Sequence, residues 1–164
     1  MAELPVVYLL CGFVGSGKTT YARRLEARGV VRLSIDERVF QRHGRHGVDY
    51  PEHEYPAHAD AATNKLDDRL TELLAEGRSV VLDYGLWSKE DRDWYKRLAE
   101  KHGARWKLLY FRADLGLLRR RLEERNRRSD GDPNALRVEN RHFAEFLTRF
   151  DPLSGEGEDI VEQV

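Results

Sequence analysis

Short apolar runs alternate along this chain with longer stretches in which apolar residues recur every three or four positions. Val6-Val7-Tyr8-Leu9-Leu10 is continuous and rich in β-favouring residues, the pattern of a strand buried on both faces of a parallel sheet. Tyr21, Ala22 and Leu25 then mark the inner face of a helix whose outer face carries Arg23, Arg24 and Arg28, with Gly29 placed as its stop. Val30 to Ile35 predicts a second strand that ends at Asp36. Ala59, Ala62, Leu66, Leu70, Leu73 and Leu74 keep helical spacing up to Gly77, so a long amphipathic helix leads into a third buried strand, Ser79 to Asp83. Ser88 followed by Asp91 resembles a capping box, and the helix it opens directs Trp94, Tyr95, Leu98 and Ala99 inward. Trp106 to Phe111 predicts a fourth strand and Leu115 to about Arg128 an arginine-laden helix. Beyond the turn-rich residues 129–134, Phe143, Phe146, Leu147 and Phe150 define a last helix, and Ile160-Val161 a final strand. Strands alternating with helices imply right-handed crossovers and an α/β fold, about five parallel strands with helices on both faces.

The composition fits one soluble domain: 164 residues, 40% hydrophobic and 35% charged, enough to bury a core without disulfides or metal. Cys11 has no second cysteine to pair with, so a reducing, cytoplasmic setting is expected. No apolar stretch approaches the roughly 20 residues that cross a bilayer, and the N-terminus lacks the basic region of a secretory signal. Lys+Arg 28 against Asp+Glu 29 argues against a protein that coats nucleic acid by bulk attraction. That balance is a cancellation, because residues 112–128 hold seven arginines and three acids while residues 151–164 hold five acids and no base.

Between the first strand and first helix stands Gly12-Phe13-Val14-Gly15-Ser16-Gly17-Lys18-Thr19, which fits G-x-x-x-x-G-K-[ST] in the strand-loop-helix setting that motif demands. Glycines let backbone amides curl around phosphate oxygens, Lys18 reaches the β and γ phosphates, and the Thr19 hydroxyl ligates magnesium. Gly12, Gly15, Ser16, Gly17, Lys18, Thr19 and Thr20 are therefore the expected nucleotide-binding residues, with ATP and magnesium as cofactors. The third strand ends at Asp83, an apolar run plus acid that commonly supports magnesium opposite such a loop; the alternative is that Asp83 faces an acceptor. Asp36 projects from the same sheet edge and is a candidate base for an attacking hydroxyl, its plainer role being a helix cap. Arg121 and Arg125 lie one turn apart on one face and suit a lid that closes over the γ phosphate, whereas Arg119, Arg120, Arg127 and Arg128 face water.

Asn64-Lys65-Leu66-Asp67 spells the N-K-x-D string of guanine readers, but inside a helical pattern and before the Asp83 strand, the wrong context for a switch GTPase. Gln41 to Pro56 lacks any steady period and gathers His43, His46 and His53 near His58, Tyr50 and Tyr55. It reads as a loop lining an acceptor pocket or as a plain exposed loop; its spacing matches no zinc pattern. Trp87 either walls the same cleft or packs beneath it.

Taken together, Cys11 to Thr20, Leu33-Ser34-Ile35-Asp36, Val80 to Asp83 and the Leu118 to Asn126 lid resemble the small P-loop kinases related to polynucleotide kinase, zeta-type toxins and chloramphenicol phosphotransferase. The resemblance implies a single kinase domain over 1–164, with an acceptor-side insert at about 41–78 and an arginine-rich lid at about 113–137. It also implies a base at Asp36 and lid arginines at Arg121 and Arg125. Relatives that act on phosphorylated acceptors often carry an arginine three residues after the base, where this chain has Val39. The expected activity is transfer of a phosphoryl group from ATP to a hydroxyl of a small molecule. A 5′-hydroxyl of nucleic acid and a nucleotide-binding ATPase without an acceptor are the alternatives.

Overall fold

In the computed structural model, which describes residues 3–13, 16–127 and 140–163, the apolar runs form strands and the 3.6-residue patterns form helices. In chain order these are β1 (Val6–Cys11), α1 (Lys18–Glu26), β2 (Val31–Leu33), α2 (Ile35–His43), a short 3-10 turn (Glu52–Glu54), α3 (Tyr55–Ala75), β3 (Val80–Gly85), α4 (Lys89–Lys101), β4 (Arg105–Ala113), α5 (Leu115–Arg127), α6 (Asn140–Arg149) and β5 (Glu158–Gln163). All five strands are parallel, in the order β2-β3-β1-β4-β5. The chain runs from β1 to one side of the sheet and later returns to fill the other, which opens a crevice at the carboxyl ends of the central strands. No helix among the described residues is long and apolar enough to cross a membrane.

Alternate residues of each buried strand serve opposite faces. Leu10, Val81, Leu109 and Phe111 pack against Ala22 and Leu25 of α1. On the other face Val7, Leu9, Leu82 and Leu108 pack against Leu66, Leu70 and Leu73 of α3 and against Tyr95 and Ala99 of α4. Burying each large apolar side chain contributes about 1.5–3 kcal/mol, so both layers of helices are held by the same strands.

Three boundaries differ from the sequence pattern. β2 stops at Leu33 because Ser34 caps the next helix, its hydroxyl accepting from the N–H of Glu37 at 3.2 Å. Asp36 and Glu37 then complement the positive end of that helix, so Asp36 lies in the first turn of α2 and not at the end of a strand. Gln41 to His43 continue α2, and Pro56 sits in the first turn of α3, where its missing N–H costs nothing. The irregular segment thus contracts to residues 44–54. On α4, Trp94 turns outward and is 43% exposed, while Arg92 is 0% exposed. On α6, Leu147 is likewise exposed and Phe146 buried. Helical spacing admits either face at these positions, and hydropathy reserves the buried one for the wrong residue.

Arg92 is buried because every donor it owns is used. Nε and Nη2 donate to the two carboxylate oxygens of Glu156 at 2.9 and 3.0 Å, Nη1 donates to the carbonyls of Leu86 and Trp87 at 3.0 Å each, and Nη2 also donates to the carbonyl of Asp151 at 2.8 Å. Such a fork holds three separate stretches of chain in one geometry. The Asp151 carboxylate accepts from the N–H of Lys89 and Ser88 accepts from that of Asp91, so the start of α4 is capped twice.

Replacing Arg92 with Leu leaves the Glu156 carboxylate buried and unpaired, and should cost about 3–5 kcal/mol in urea unfolding; a loss below 1 kcal/mol would show that the fork is incidental. Cys11 is fully buried, its thiol donates to the Leu86 carbonyl, and burial pushes its pKa up to about 11. It should therefore resist iodoacetamide at pH 8 in the folded protein and react on unfolding, and rapid alkylation of folded protein would contradict that burial.

Candidate active site

At the end of β1 the backbone turns through Gly12, whose N–H donates to the Gly85 carbonyl at 3.0 Å. A Cβ there would lie 2.8 Å from the Phe111 carbonyl oxygen and 2.9 Å from Ser16 Oγ, and φ is +148°, so only glycine fits. Gly17, at φ +98°, is the N-cap of α1 and brings no side chain to its orphan N–H groups. No acid stands in the first turn of α1 either. The start of this helix is consequently ready for an external anion. Ser16 points the same way: its hydroxyl is buried and has no hydrogen-bond partner among the described residues. Lys18 is buried, with Nζ donating to the Phe13 carbonyl at 2.9 Å. Thr20 is exposed in the first turn of α1, and Gly15 lies outside the described residues.

Thr19 and Asp83 come together across the crevice. The Thr19 hydroxyl donates to Asp83 Oδ2 at 2.8 Å. Arg32 of β2 donates to the same carboxylate oxygen, from Nη2 at 3.0 Å, and to Glu37. Burial by itself would lower the Arg32 pKa, but the Asp83 and Glu37 carboxylates hold it above the usual arginine value. The two partners of Asp83 keep a carboxylate and a hydroxyl, both hard oxygen donors, side by side next to the phosphate loop, a set that suits magnesium.

Asp36 is fixed from α3. The Tyr55 hydroxyl donates to its Oδ1, and burial together with the Asp36 charge drives the Tyr55 pKa well above that of free tyrosine, so Tyr55 remains a donor. Tyr50, pushed up to about 12 by burial and by Asp36, stays neutral beside it. Around Tyr50 the histidines assemble: His43 stacks on His58 at 3.6 Å between centroids, and His46 stands edge-on to Tyr55 at 5.3 Å. His53 is exposed and apart from these rings. Among the described residues no group of His, Cys, Asp and Glu is arranged to hold a metal ion.

The cationic helix is anchored at the loop. Leu118 of α5 is buried against Phe13 and Phe146, and Arg121 follows one turn later on the same face. Arg119, Arg120 and Arg127 are exposed, as expected. Arg125 falls within α5, but its side chain lies outside the described residues, as does all of 128–139. Trp87 joins the Phe13–Phe146 stack, 5.8 Å from one ring and 5.0 Å from the other. It also lines a cavity of about 570 Å³ together with Ile35, Asp67, Tyr84, Asp91 and Trp94.

The Asn64 to Asp67 string is helical in α3, with Leu66 buried and Asp67 accepting from the Tyr95 hydroxyl at 2.7 Å. Those contacts leave it no guanine-reading geometry. Val39 is buried against Tyr50 and Ala62, so the position three residues after Asp36 serves packing. The sequence places Tyr55 beside the candidate acceptor loop but does not pair it with Asp36, and it gives Arg32 no role. Arg32 leaves one signal, a lone charge inside an otherwise apolar strand run.

Several solved structures share this fold. A proposed kinase from Chloroflexus aurantiacus superimposes with a TM-score of 0.75 at 19% identity, over 98% of this chain and 89% of that one. Kti12 from Chaetomium thermophilum, solved with ADP-AlF3, gives 0.69 at 19% identity over 95% and 88%. A gluconokinase from Sinorhizobium meliloti gives 0.62 at 18% identity over 98% and 84%. No curated protein matches the chain. At these identities the likeness establishes a shared fold, a five-stranded parallel sheet flanked by helices. A family model described as an AAA domain matches residues 7–153, nearly the whole of what has been described above, and the chain belongs to that family.

Proposed function

We propose that this protein is an ATP- and magnesium-dependent phosphotransferase acting on a hydroxyl of a small molecule. One observation supports the reading: the anion-ready loop, the Thr19–Asp83 pair and the Tyr55-bound Asp36 stand at one edge of a parallel sheet, in a protein that also has a cavity lined by Ile35, Tyr84 and Trp87. A mechanical or regulatory ATPase has no need of such a cavity. Among the similar folds a gluconokinase supports this reading, and the Pnkp1/Rnl/Hen1 RNA repair complex supports a nucleic-acid acceptor.

In this mechanism the loop amides and Lys18 hold the β and γ phosphates, the Lys18 ammonium exchanging the Phe13 carbonyl for phosphate oxygen. Thr19 and Asp83 would hold magnesium, which when bound neutralises charge between those phosphates. Asp36 accepts the proton of the acceptor hydroxyl as it attacks. Tyr55 supplies orientation, its hydroxyl fixing the Asp36 carboxylate from α3. Arg121, with Arg125, closes over the transferring group and excludes water that would otherwise waste ATP.

A nucleic-acid 5′-hydroxyl is the second reading, and the acidic cavity wall disfavours it because a polyphosphate backbone needs a basic track.

Two substitutions test the assignment once a screen of ADP release over hydroxyl compounds has found an acceptor. Asp36→Asn should keep ATP affinity while acceptor phosphorylation falls by about 10²–10⁴-fold; unchanged turnover would remove Asp36 from the chemistry. Lys18→Ala should lose ATP binding itself in calorimetry, and wild-type affinity in that variant would remove Lys18 from the nucleotide site.

A further inference from the structure

β2 is a strand of three residues at the edge of the sheet, paired with β3 alone. Its ladder, Val31 to Leu33 against Val80 to Leu82, ends one residue short of Asp83 on β3 and of the Ser34 cap of α2. So few backbone hydrogen bonds hold the start of α2 weakly, and side chains must fix it. Arg32 spans the gap. Its side chain is only 5% exposed, and its donors go to two different elements: Nη2 and Nε donate to Asp83 Oδ2 at 3.0 and 3.3 Å, and Nη1 donates to Glu37, the neighbour of Asp36 in the first turn of α2.

Stability does not account for an arginine at this position. A buried ion pair gains little over apolar residues of similar size, because desolvation offsets the attraction, and a valine at position 32 would suit the strand. What the guanidinium adds is geometry. Its donors form a rigid planar fork, so two carboxylates bound to it stand in a fixed relation to one another.

The fork also continues a chain of contacts that begins at the phosphate loop. Thr19, in the first turn of α1, donates to the same Asp83 oxygen at 2.8 Å, and among the described residues every hydrogen bond to Asp83 ends on that oxygen. Thr19, Asp83, Arg32 and Glu37 thus form one continuous line of hydrogen bonds from α1 to the turn that carries Asp36. A nucleotide that engages Thr19 steadies one end of this line and, through it, the other.

We infer that Arg32 is a positioning residue, one guanidinium setting the place of Asp36 relative to Asp83 and carrying occupancy of the phosphate loop to the first turn of α2. The tasks of Asp36 and Asp83 rest on the phosphotransferase reading, whereas the line of bonds between them does not.

Hydrogen exchange followed by mass spectrometry tests the line without any acceptor. Adding magnesium and ATP should slow exchange over residues 35–38 of the parent about tenfold. Glu37→Ala severs the α2 arm at a side chain that is 33% exposed and leaves Arg32 bound to Asp83, so it should fold as the parent does. In that variant the slowing should vanish, while ATP affinity in calorimetry stays within about twofold of the parent. Arg32→Lys keeps the charge but replaces the fork with one ammonium, and should lose the slowing as well. No slowing in the parent, or slowing of the parent's size in either variant, overturns the inference, because a bridge that only stabilises alters exchange equally with and without nucleotide. Transfer is then measured on the acceptor found by ADP release. Both variants should lower kcat about 10–100-fold, with the acceptor KM near that of the parent. Nucleotide-dependent slowing in a parent that phosphorylates no acceptor upholds the Arg32 line and sinks the phosphotransferase reading. Transfer at the parent's rate by both variants sinks the role of Arg32 and leaves that reading standing.

Discussion

A guanidinium taken out of water must have all five of its N–H groups satisfied, and in this protein that requirement organises one side of the active-site crevice. Arg92 reaches back to Leu86 and Trp87, which follow β3, and forward to Asp151 and Glu156, which follow α6. Leu86 sits at φ +48°, a left-handed backbone that costs a non-glycine residue about 1–2 kcal/mol. Its carbonyl is thereby aimed at both Arg92 and Cys11, so the strain is offset by two hydrogen bonds. Trp87 is carried along, and its ring meets Phe146 of α6 and Phe13 of the phosphate loop. The wall of the cavity, the loop that faces nucleotide and the C-terminal helix are therefore coupled through one buried side chain.

Asp83 shows the same economy of charge on the other side. A buried carboxylate needs partners, and it has a hydroxyl from α1 and a guanidinium from β2. Arg32 is itself shared with Glu37 of α2. The ends of β2 and β3 are locked together by this chain of ions, and α2, whose first turn carries Asp36, is tied to the Asp83 strand. Positioning of the candidate base thus depends on an arginine that touches no reacting group.

Much of this was legible because it is local. Continuous apolar runs announced the buried strands, and the glycines, Lys18 and Thr19 announced the loop, since each of these signals is confined to a few successive residues. Ser34 is legible in principle as a cap, but the apolar run through Ile35 outweighs it and carries the expected strand past its end at Leu33. What stayed hidden depends on distant partners. Nothing near Arg92 in sequence announces Glu156, 64 residues away, and an arginine without that partner belongs on the surface. Tyr55 meets Asp36 only because α3 packs against α2. Hydropathy treats an indole as core and so predicts Trp94 inward, whereas its ring meets Tyr95 at a near-perpendicular angle, 4.8 Å between centroids, and 43% of the residue stays exposed.

Near-zero net charge, finally, conceals two opposed regions. Lys18 stands at the loop and arginines crowd α5, whereas Asp60, Asp67 and Asp91 line a cavity with no lysine or arginine among its described residues. A neutral alcohol would gain little from the second region, and an anionic one would be repelled by it. Asp36, in the first turn of α2, and Asp83, near the end of β3, stand at the same carboxyl edge of the sheet, each held by partners from neighbouring elements.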